Sequence, residues 1–447
     1  MDNFLNTLKD GQPIALLNAR ILDPESGMDT QGGILIKDDL IIDIGYHIHD
    51  EALNKDFFKL NCNNYCVAPG FIDLRVQLCE PGYTHKETIA TAGKAAAAGG
   101  ITSLVCLPNT NPVIDDVSVL EFITKRAQQT TSPKVYCYGA ITKGLLGKDL
   151  SEMGLLAESG AIAFTDGLMA VDDPTVMRRA LSYSSAFDLL IVQHPEDYRL
   201  AFSGCVNEGE LATRLGLPAI PSCAEVMQIE RDLQLVTLTN SRYHVAHIST
   251  AAAVEAIKKA KEQGLRVTCD TAPPYFSLNE YEIGDYRTFT KLSPPLRQEK
   301  DRKAIVQGLI DGIIDCIASD HTPQDQESKR LPFNQAAFGI VGLETLFTLS
   351  LELYHKGEIP LLNLLAKITS NPANLLKLPQ GRIAKNAPAD LVLFDLEKPN
   401  KISVDKFLSK SKNSPFDGRL VQGHILYTFA NGRLIYNWEK SDVGFIS

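Results

Sequence analysis

The sequence predicts an α/β protein: a (β/α)8 barrel of TIM type, joined to a small β-sandwich domain formed by both termini. Three observations predict it. Apolar runs bounded by turn residues recur eight times between residues 66 and 320, with helical windows between them. Polar residues recur at or near the ends of those runs: Asp73, Asn109, Asp166, His194, His247, Asp270 and Asp320. In a barrel those ends form the rim that carries chemistry. Outside this region, at both ends of the chain, the pattern changes to β-like alternation. The expected boundaries are 1–65 for the N-terminal half of the sandwich, 66–375 for the barrel and 376–447 for the C-terminal half.

Residues 14–45 contain IALLNARILD and GGILIKDDLIIDIG with turn residues between them, the pattern of a small antiparallel unit. The barrel strands are expected in CVAPGFIDLRV, ITSLVCLPN, PKVYCYGA, AIAFTD, DLLIVQH, RYHVAHIS, LRVTCD and IDCIASD. Helices are expected over 86–98, 116–128, 174–187, 250–263 and 299–311. The stretch AAAAGG at 95–100 ends the first of these; no Lys-Ser/Thr follows, so it is not a phosphate loop. After residue 380, GRIAKNAPADLVLFD and VQGHILYTFANGRLIYNW return to β character.

Composition narrows the function. The chain has 447 residues, 44% hydrophobic and 22% charged, ordinary for a soluble globular protein. A net charge of −10, with no basic cluster interleaved with aromatics, argues against nucleic acid and anionic membrane surfaces as partners. The first dozen residues lack the apolar core of a secretory signal. No apolar run approaches the ~18 residues that span a bilayer. Nine cysteines without C-x-x-C spacing are expected to be reduced thiols, which places the protein in the cytoplasm.

The segments PGFIDLRVQLCEPG, HKETIATAGKAAAAGGITSLVCLPNTNPVID, AFTDG, HPED, HVAHIST, SPPLR and IASDHTP together resemble the metal-dependent amidohydrolases. Within that superfamily they resemble the dihydroorotases of pyrimidine biosynthesis, over nearly the whole chain. The resemblance implies H-x-H at the end of the first barrel strand and an arginine two residues further on. Those positions are Arg75, Gln77 and Cys79 here. It also implies that Asn109 helps to bind the substrate carboxylate, that Asp166, His194 and His247 are metal ligands, and that Asp320 is the general base. Other departures are Pro274-Tyr275 in place of two histidines, Ser293 in place of asparagine and Gln324 in place of histidine.

Two imidazoles at alternate strand positions point to one side and offer neutral nitrogen donors to a metal. A guanidinium has only N–H donors and stays charged, so Arg75 replaces a ligand without acting as one; Gln77 offers one weak oxygen. Loss of the metal leaves Asp166 and Asp320 uncompensated, at a cost of roughly 3–5 kcal/mol for an unpaired buried charge. Arg75 is therefore expected to bridge one or both carboxylates. No cofactor is expected; the alternative is one zinc ion at a residual site of Asp166, His194 and His247, with Asp320 as a weak or vestigial base.

Other histidines receive structural readings. His47-x-His49 falls in the small N-terminal unit and reads as a solvated turn, His244 packs against the barrel, and His321 is a loop hydrogen-bonder. The resemblance with lost ligands implies a catalytically silent dihydroorotase homologue that is oligomeric and supports the catalytic subunit of aspartate transcarbamoylase. The alternative is an active dihydroorotase, interconverting carbamoyl aspartate and dihydroorotate at the residual metal site. A third reading is a module that senses a pyrimidine intermediate in the old pocket.

Overall fold

The structure, a computed structural model, describes residues 11–53 and 56–441. Eight parallel strands follow one another in chain order: Phe71–Val76, Ile101–Cys106, Lys134–Gly139, Ala161–Phe164, Leu190–Gln193, Arg242–Val245, Val267–Thr271 and Cys316–Ile317. The ladder returns to its start where Val76 pairs with His321 in parallel register and the Gln77 amide donates to the His321 carbonyl at 2.9 Å. Asp73 adds a second stitch, because its Oδ1 accepts the Ser319 amide at 3.1 Å across the same seam. The barrel expected from the recurring apolar runs is thus present.

The helices Ile89–Ala98, Val117–Thr130, Pro174–Ala186, Ala251–Glu262 and Glu299–Ile310 lie where the expected windows placed them, within a few residues. Each buries one apolar stripe on the strands; Leu120, Ile123 and Ala127 do so for the second, at spacings of three and four. The first helix presents Ala92, Ala95 and Ala96, small enough to bring its backbone close to the sheet. It stops at Gly99-Gly100. Gly100 has φ +80, and a Cβ there would lie 2.8 Å from the Phe71 ring, so both backbone and packing require glycine. Inside the barrel, Leu74, Val105, Tyr138, Leu190 and Val192 form a separate apolar cluster.

The two termini build one continuous sheet. Its order runs Arg433–Asn437, Leu420–Ala430, Leu391–Lys401, Cys66–Pro69, Ile14–Asp23, Met28–Lys37, Leu40–Gly45, with Phe58–Asn61 paired to Ile14–Asp23 off that path. Cys66–Pro69 is the join: it pairs parallel to Ile14–Asp23 and antiparallel to Leu391–Lys401. Two features differ from expectation. The N-terminal unit is mixed, because Ile14–Asp23 has two parallel neighbours. Cys66–Pro69 belongs to this sheet, and the first barrel strand starts at Phe71. Pro69-Gly70 separates the two, and periodicity alone reads the whole apolar run as one strand.

Candidate functional site

On the strand Phe71–Val76, alternate side chains share a side, which sets Asp73, Arg75 and then Gln77 toward the barrel mouth. Arg75 is 3% exposed. Its Nε donates to Asp320 Oδ1 at 3.4 Å and its Nη1 to the Gly167 carbonyl at 3.4 Å, while Nη2 is buried without a partner. Of the two carboxylates it was expected to bridge, Arg75 meets Asp320 only.

From Asp320 a chain of buried charges crosses the mouth. His247 Nε2 lies 3.2 Å from Asp320 Oδ1, and its Nδ1 lies 2.7 Å from Asp270 Oδ1. Neither ring nitrogen lies on a hydrogen-bond axis, so the attraction is chiefly Coulombic. His244 Nε2 sits 2.9 Å from Asp270 Oδ2, and its Nδ1 sits 2.7 Å from Thr268 Oγ1. Burial by itself lowers the pKa of His247, but Asp320 and Asp270 overcome it and the net shift is upward. Burial likewise pushes Asp320 up, and His247, Arg75 and His194 overcome it downward. Asp270 also ends below its ordinary value, against burial, held there first by His247 and then by His244. His194 goes the other way: burial, then Arg75 and His247, hold it well below the usual imidazole range. The shifts thus run toward a protonated His247, ionised Asp320 and Asp270, and a neutral His194.

Backbone geometry at this site is unusual. His247 has φ 53 and Asp320 φ 54, both in the left-handed region that side-chain-bearing residues avoid. Such strain, of order 1–3 kcal/mol per residue, persists where surrounding contacts over-determine it. Around His247 the packing behind the mouth does so. Glu225 accepts the Ser249 and Thr250 amides at 2.9 and 3.2 Å, just past His247. Arg297 then closes the cluster through Glu225 Oε2 at 3.3 Å, Ser249 Oγ at 3.0 Å and Asn207 Oδ1 at 3.0 Å.

The remaining candidates separate. Asp166 accepts the Ile141 and Thr142 amides, each at 2.9 Å, and the Thr142 hydroxyl. Burial outweighs those bonds and lifts its pKa to about 6. Its carboxylate therefore serves the end of the strand Lys134–Gly139. His194 Nε2 faces Ser293 Oγ at 3.1 Å, and its Nδ1 is buried without a partner. Asn109 Nδ2 donates to Gln77 Oε1 at 3.2 Å, and Gln77 Nε2 donates to Thr322 Oγ1 at 3.1 Å. Gln77, Cys79, Lys86 and Asn109 line a cavity of about 360 Å³.

The structure gathers His194, His247, Asp320 and Arg75 but leaves Asp166 engaged elsewhere. Among the described residues no group of three or more His, Cys, Asp or Glu is placed to hold a metal ion. The donor chemistry agrees, since Arg75 brings only N–H groups to the mouth and Asp166 has both oxygens committed. Of the three ligands weighed for zinc, His194 and His247 keep ring nitrogens without a hydrogen-bond partner, whereas Asp166 is turned to Ile141 and Thr142, so the three-ligand set is incomplete.

Sequence reasoning placed Asp270 at a strand end but gave it no role, and it read His244 as packing only. Both belong to the charge chain. Spacing could have flagged them: His244 and His247 flank one strand end, and Asp270 ends the next. Glu225 carried no signal, lying within a helical stretch. His321 is the loop hydrogen-bonder expected, with Nδ1 accepting the Gly342 amide at 3.2 Å. His47 faces Asp43 Oδ2 at 3.0 Å on the surface.

The fold defines the class: an eight-stranded α/β barrel with an added sheet from the termini. L-Hydantoinase (dihydropyrimidinase) from Arthrobacter aurescens superposes with a TM-score of 0.85 at 23% identity, covering 95% of this chain and 96% of that one. Dihydropyrimidinase from Brevibacillus agri gives 0.82 at 23% identity, covering 95% of each. A family model described as dihydro-orotase-like matches residues 65–253. The dihydroorotase of Wolbachia sp. subsp. Drosophila simulans is 46% identical over 441 residues, covering 98% of this chain and 99% of its own. That of Ehrlichia chaffeensis is 46% identical over 428 residues, covering 95% of each. The chain belongs to the dihydroorotase-like family. Among the described residues no helix is long and apolar enough to cross a membrane.

Proposed function

We propose that this chain keeps the dihydroorotase frame without the reaction, and that in pyrimidine biosynthesis it assembles with aspartate transcarbamoylase and supports it. The observation that carries the silent reading is the Arg75–Asp320 contact, 3.4 Å long and buried on both sides. Hydrolysis of a cyclic amide in this family needs a metal-activated hydroxide and a carboxylate that takes up its proton. Asp320 is the carboxylate in that position, and His247 and Arg75 stabilise it as an anion. A carboxylate so stabilised is a poor proton acceptor. The partner reading rests on the family resemblance combined with these lost ligands.

A second reading has support of its own: relatives 40–46% identical over most of the chain are named dihydroorotase. On that reading the protein interconverts carbamoyl aspartate and dihydroorotate. Metal analysis of the purified chain, paired with turnover measured in both directions, separates the two. The silent reading expects substoichiometric zinc and no turnover; one zinc per chain with turnover overturns it. Sedimentation of the chain mixed with the transcarbamoylase tests the partner claim, and two non-interacting species remove it.

A further inference from the structure

The connection between the strands Leu391–Lys401 and Leu420–Ala430 leaves the terminal sheet and returns to it. Its neck is pinched, as in an Ω-loop: the Ile402 amide donates to the Arg419 carbonyl and the Gly418 amide to the Ile402 carbonyl, each at 2.9 Å. Between those points the chain lies against the barrel mouth. Burial alternates along it, with Ser409, Ser411 and Asn413 buried and Lys410 exposed. The three buried side chains hold two loops that wall the cavity of about 360 Å³. The Ser409 hydroxyl donates to Glu87, and the Ser411 hydroxyl donates to the Lys86 carbonyl at 2.7 Å. Asn413 accepts the Gln324 amide at 3.1 Å and donates to the Thr322 carbonyl at 3.1 Å. Lys86 and Gln324 line the cavity, and Thr322 holds Gln77 in its wall.

Two acids secure the segment from the barrel side. Glu344 accepts the Leu408 and Ser409 amides at 2.8 and 3.0 Å, and Glu87 accepts the Lys410 amide at 3.1 Å. Both carboxylates reach Ser409, so each feels the charge of the other. Three further charged or titratable groups face them. His321 Nε2 lies 3.5 Å from Glu87 Oε2. Lys412 Nζ donates to the Ser409 carbonyl at 3.0 Å, and Lys410 Nζ to the Thr84 carbonyl at 2.6 Å. Burial pushes Glu87 up, but His321, Ser409 and Thr91 overcome it and hold the carboxyl below its ordinary value. Burial lifts Glu344 to about 7, over the opposing Ser409 and Leu408 amides and Lys412, and Glu87 adds to the rise.

We propose that residues 408–413 form a latch on the mouth cavity: seated, it fixes the loops that carry Lys86 and Gln324, and withdrawn, it frees both and opens the cavity. A latch differs from local packing in that breaking one tie releases both loops. The same geometry makes it sensitive to pH. Seated, one charge on Glu87 and a proton on Glu344 avoid two like charges side by side in a buried place. Withdrawal returns Glu344 to water and to an ordinary glutamate value of ~4.3, so it gives up that proton. The opening constant therefore rises about tenfold per pH unit above ~4.3 and levels off past the seated value of about 7. Low pH keeps the latch seated. The device acts on the cavity walls whether or not the mouth turns over substrate.

Hydrogen exchange read by mass spectrometry tests it on the full chain, as wild type, E344Q and N413A, with rates corrected for the intrinsic effect of pH. In the wild type, protection of segments 404–416, 83–88 and 320–326 should fall together, about fortyfold between pH ~5 and ~7. The helix Val117–Thr130 should hold its protection and report that the barrel stays folded. E344Q keeps an acceptor for the Leu408 and Ser409 amides and cannot ionise, so its profile should be flat. N413A at pH ~5 should loosen 83–88 as well as 320–326, although its own ties reach only the second loop. Protection that ignores pH in the wild type overturns the proposal. So does an E344Q profile parallel to the wild type, or an N413A that loosens 320–326 alone. Where a variant also loses protection at Val117–Thr130, its fold has failed and the wild-type pH series decides.

Discussion

His247 and Asp320, 73 residues apart in the chain, both lie just past their strands in left-handed backbone and bring Nε2 and Oδ1 to 3.2 Å. The contact converts a carboxylate suited to accept a proton into the anion of a buried ion pair. Arg75 approaches the same oxygen from the first strand, so two cations share one acceptor. The expectations below follow from that arrangement and its supports.

Arg75→Met should destabilise the fold by about 3 kcal/mol, because it removes a buried cation and leaves Asp320 to His247 alone. Arg75→Lys should cost less, since the charge stays and only the second contact, to the Gly167 carbonyl, is lost. Urea denaturation followed by tryptophan fluorescence and far-UV circular dichroism measures both. Equal stability in all three proteins shows that Arg75 is not a counterion.

Restoring both histidines, Arg75→His with Gln77→His, should yield neither stoichiometric zinc nor turnover. Asp166 remains committed to Ile141 and Thr142, and Cys79 and Ser293 remain where the family resemblance implies arginine and asparagine. Zinc content by mass spectrometry and a dihydroorotate assay decide it. Appreciable turnover means the rest of the pocket is intact.

Asp166 should make the protein less stable as pH rises. Its folded pKa of about 6 lies above the ordinary aspartate value, so the folded state holds the proton more tightly than the unfolded chain. The stabilisation is present below the unfolded pKa of ~3.9 and is lost as pH climbs through the folded value, about 3 kcal/mol in all. Asp166→Asn keeps an acceptor for the amides and removes the titration. Its stability curve should be flatter between pH ~4 and ~6 than that of the wild type. Parallel curves in that window rule out Asp166 as the group responsible.

Glu225→Gln should cost about 3 kcal/mol by leaving the Arg297 guanidinium buried without its counterion. Adding Arg297→Met removes that stranded charge and should restore part of the loss. The double-mutant cycle measures the coupling, and strictly additive effects contradict a direct pair.

Much of the site was legible from alternation and turn residues. His247 and Asp320 stand near the ends of apolar runs, and such ends form one rim once the strands are parallel. The chemistry of Arg75 was equally legible, because a guanidinium offers no lone pair to a metal in any conformation. The engagement of Asp166 was not. Its position near a strand end is a local property, but the direction of its carboxylate depends on which neighbouring strand supplies the Ile141 and Thr142 donors. The join at Cys66–Pro69 escaped notice for a similar reason: a buried strand in either sheet reads as the same short apolar run.

By itself, then, the sequence determined the barrel, the rim positions and a cation, Arg75, near the end of the first barrel strand. Those follow from periodicity and side-chain chemistry, which are local. Only the tertiary structure decided that Arg75 and His247 converge on Asp320, that Asp270 and His244 extend the chain, and that Glu225 and Arg297 brace it. Each of those pairings spans strands or helices far apart in the chain, so it exists only after the barrel closes.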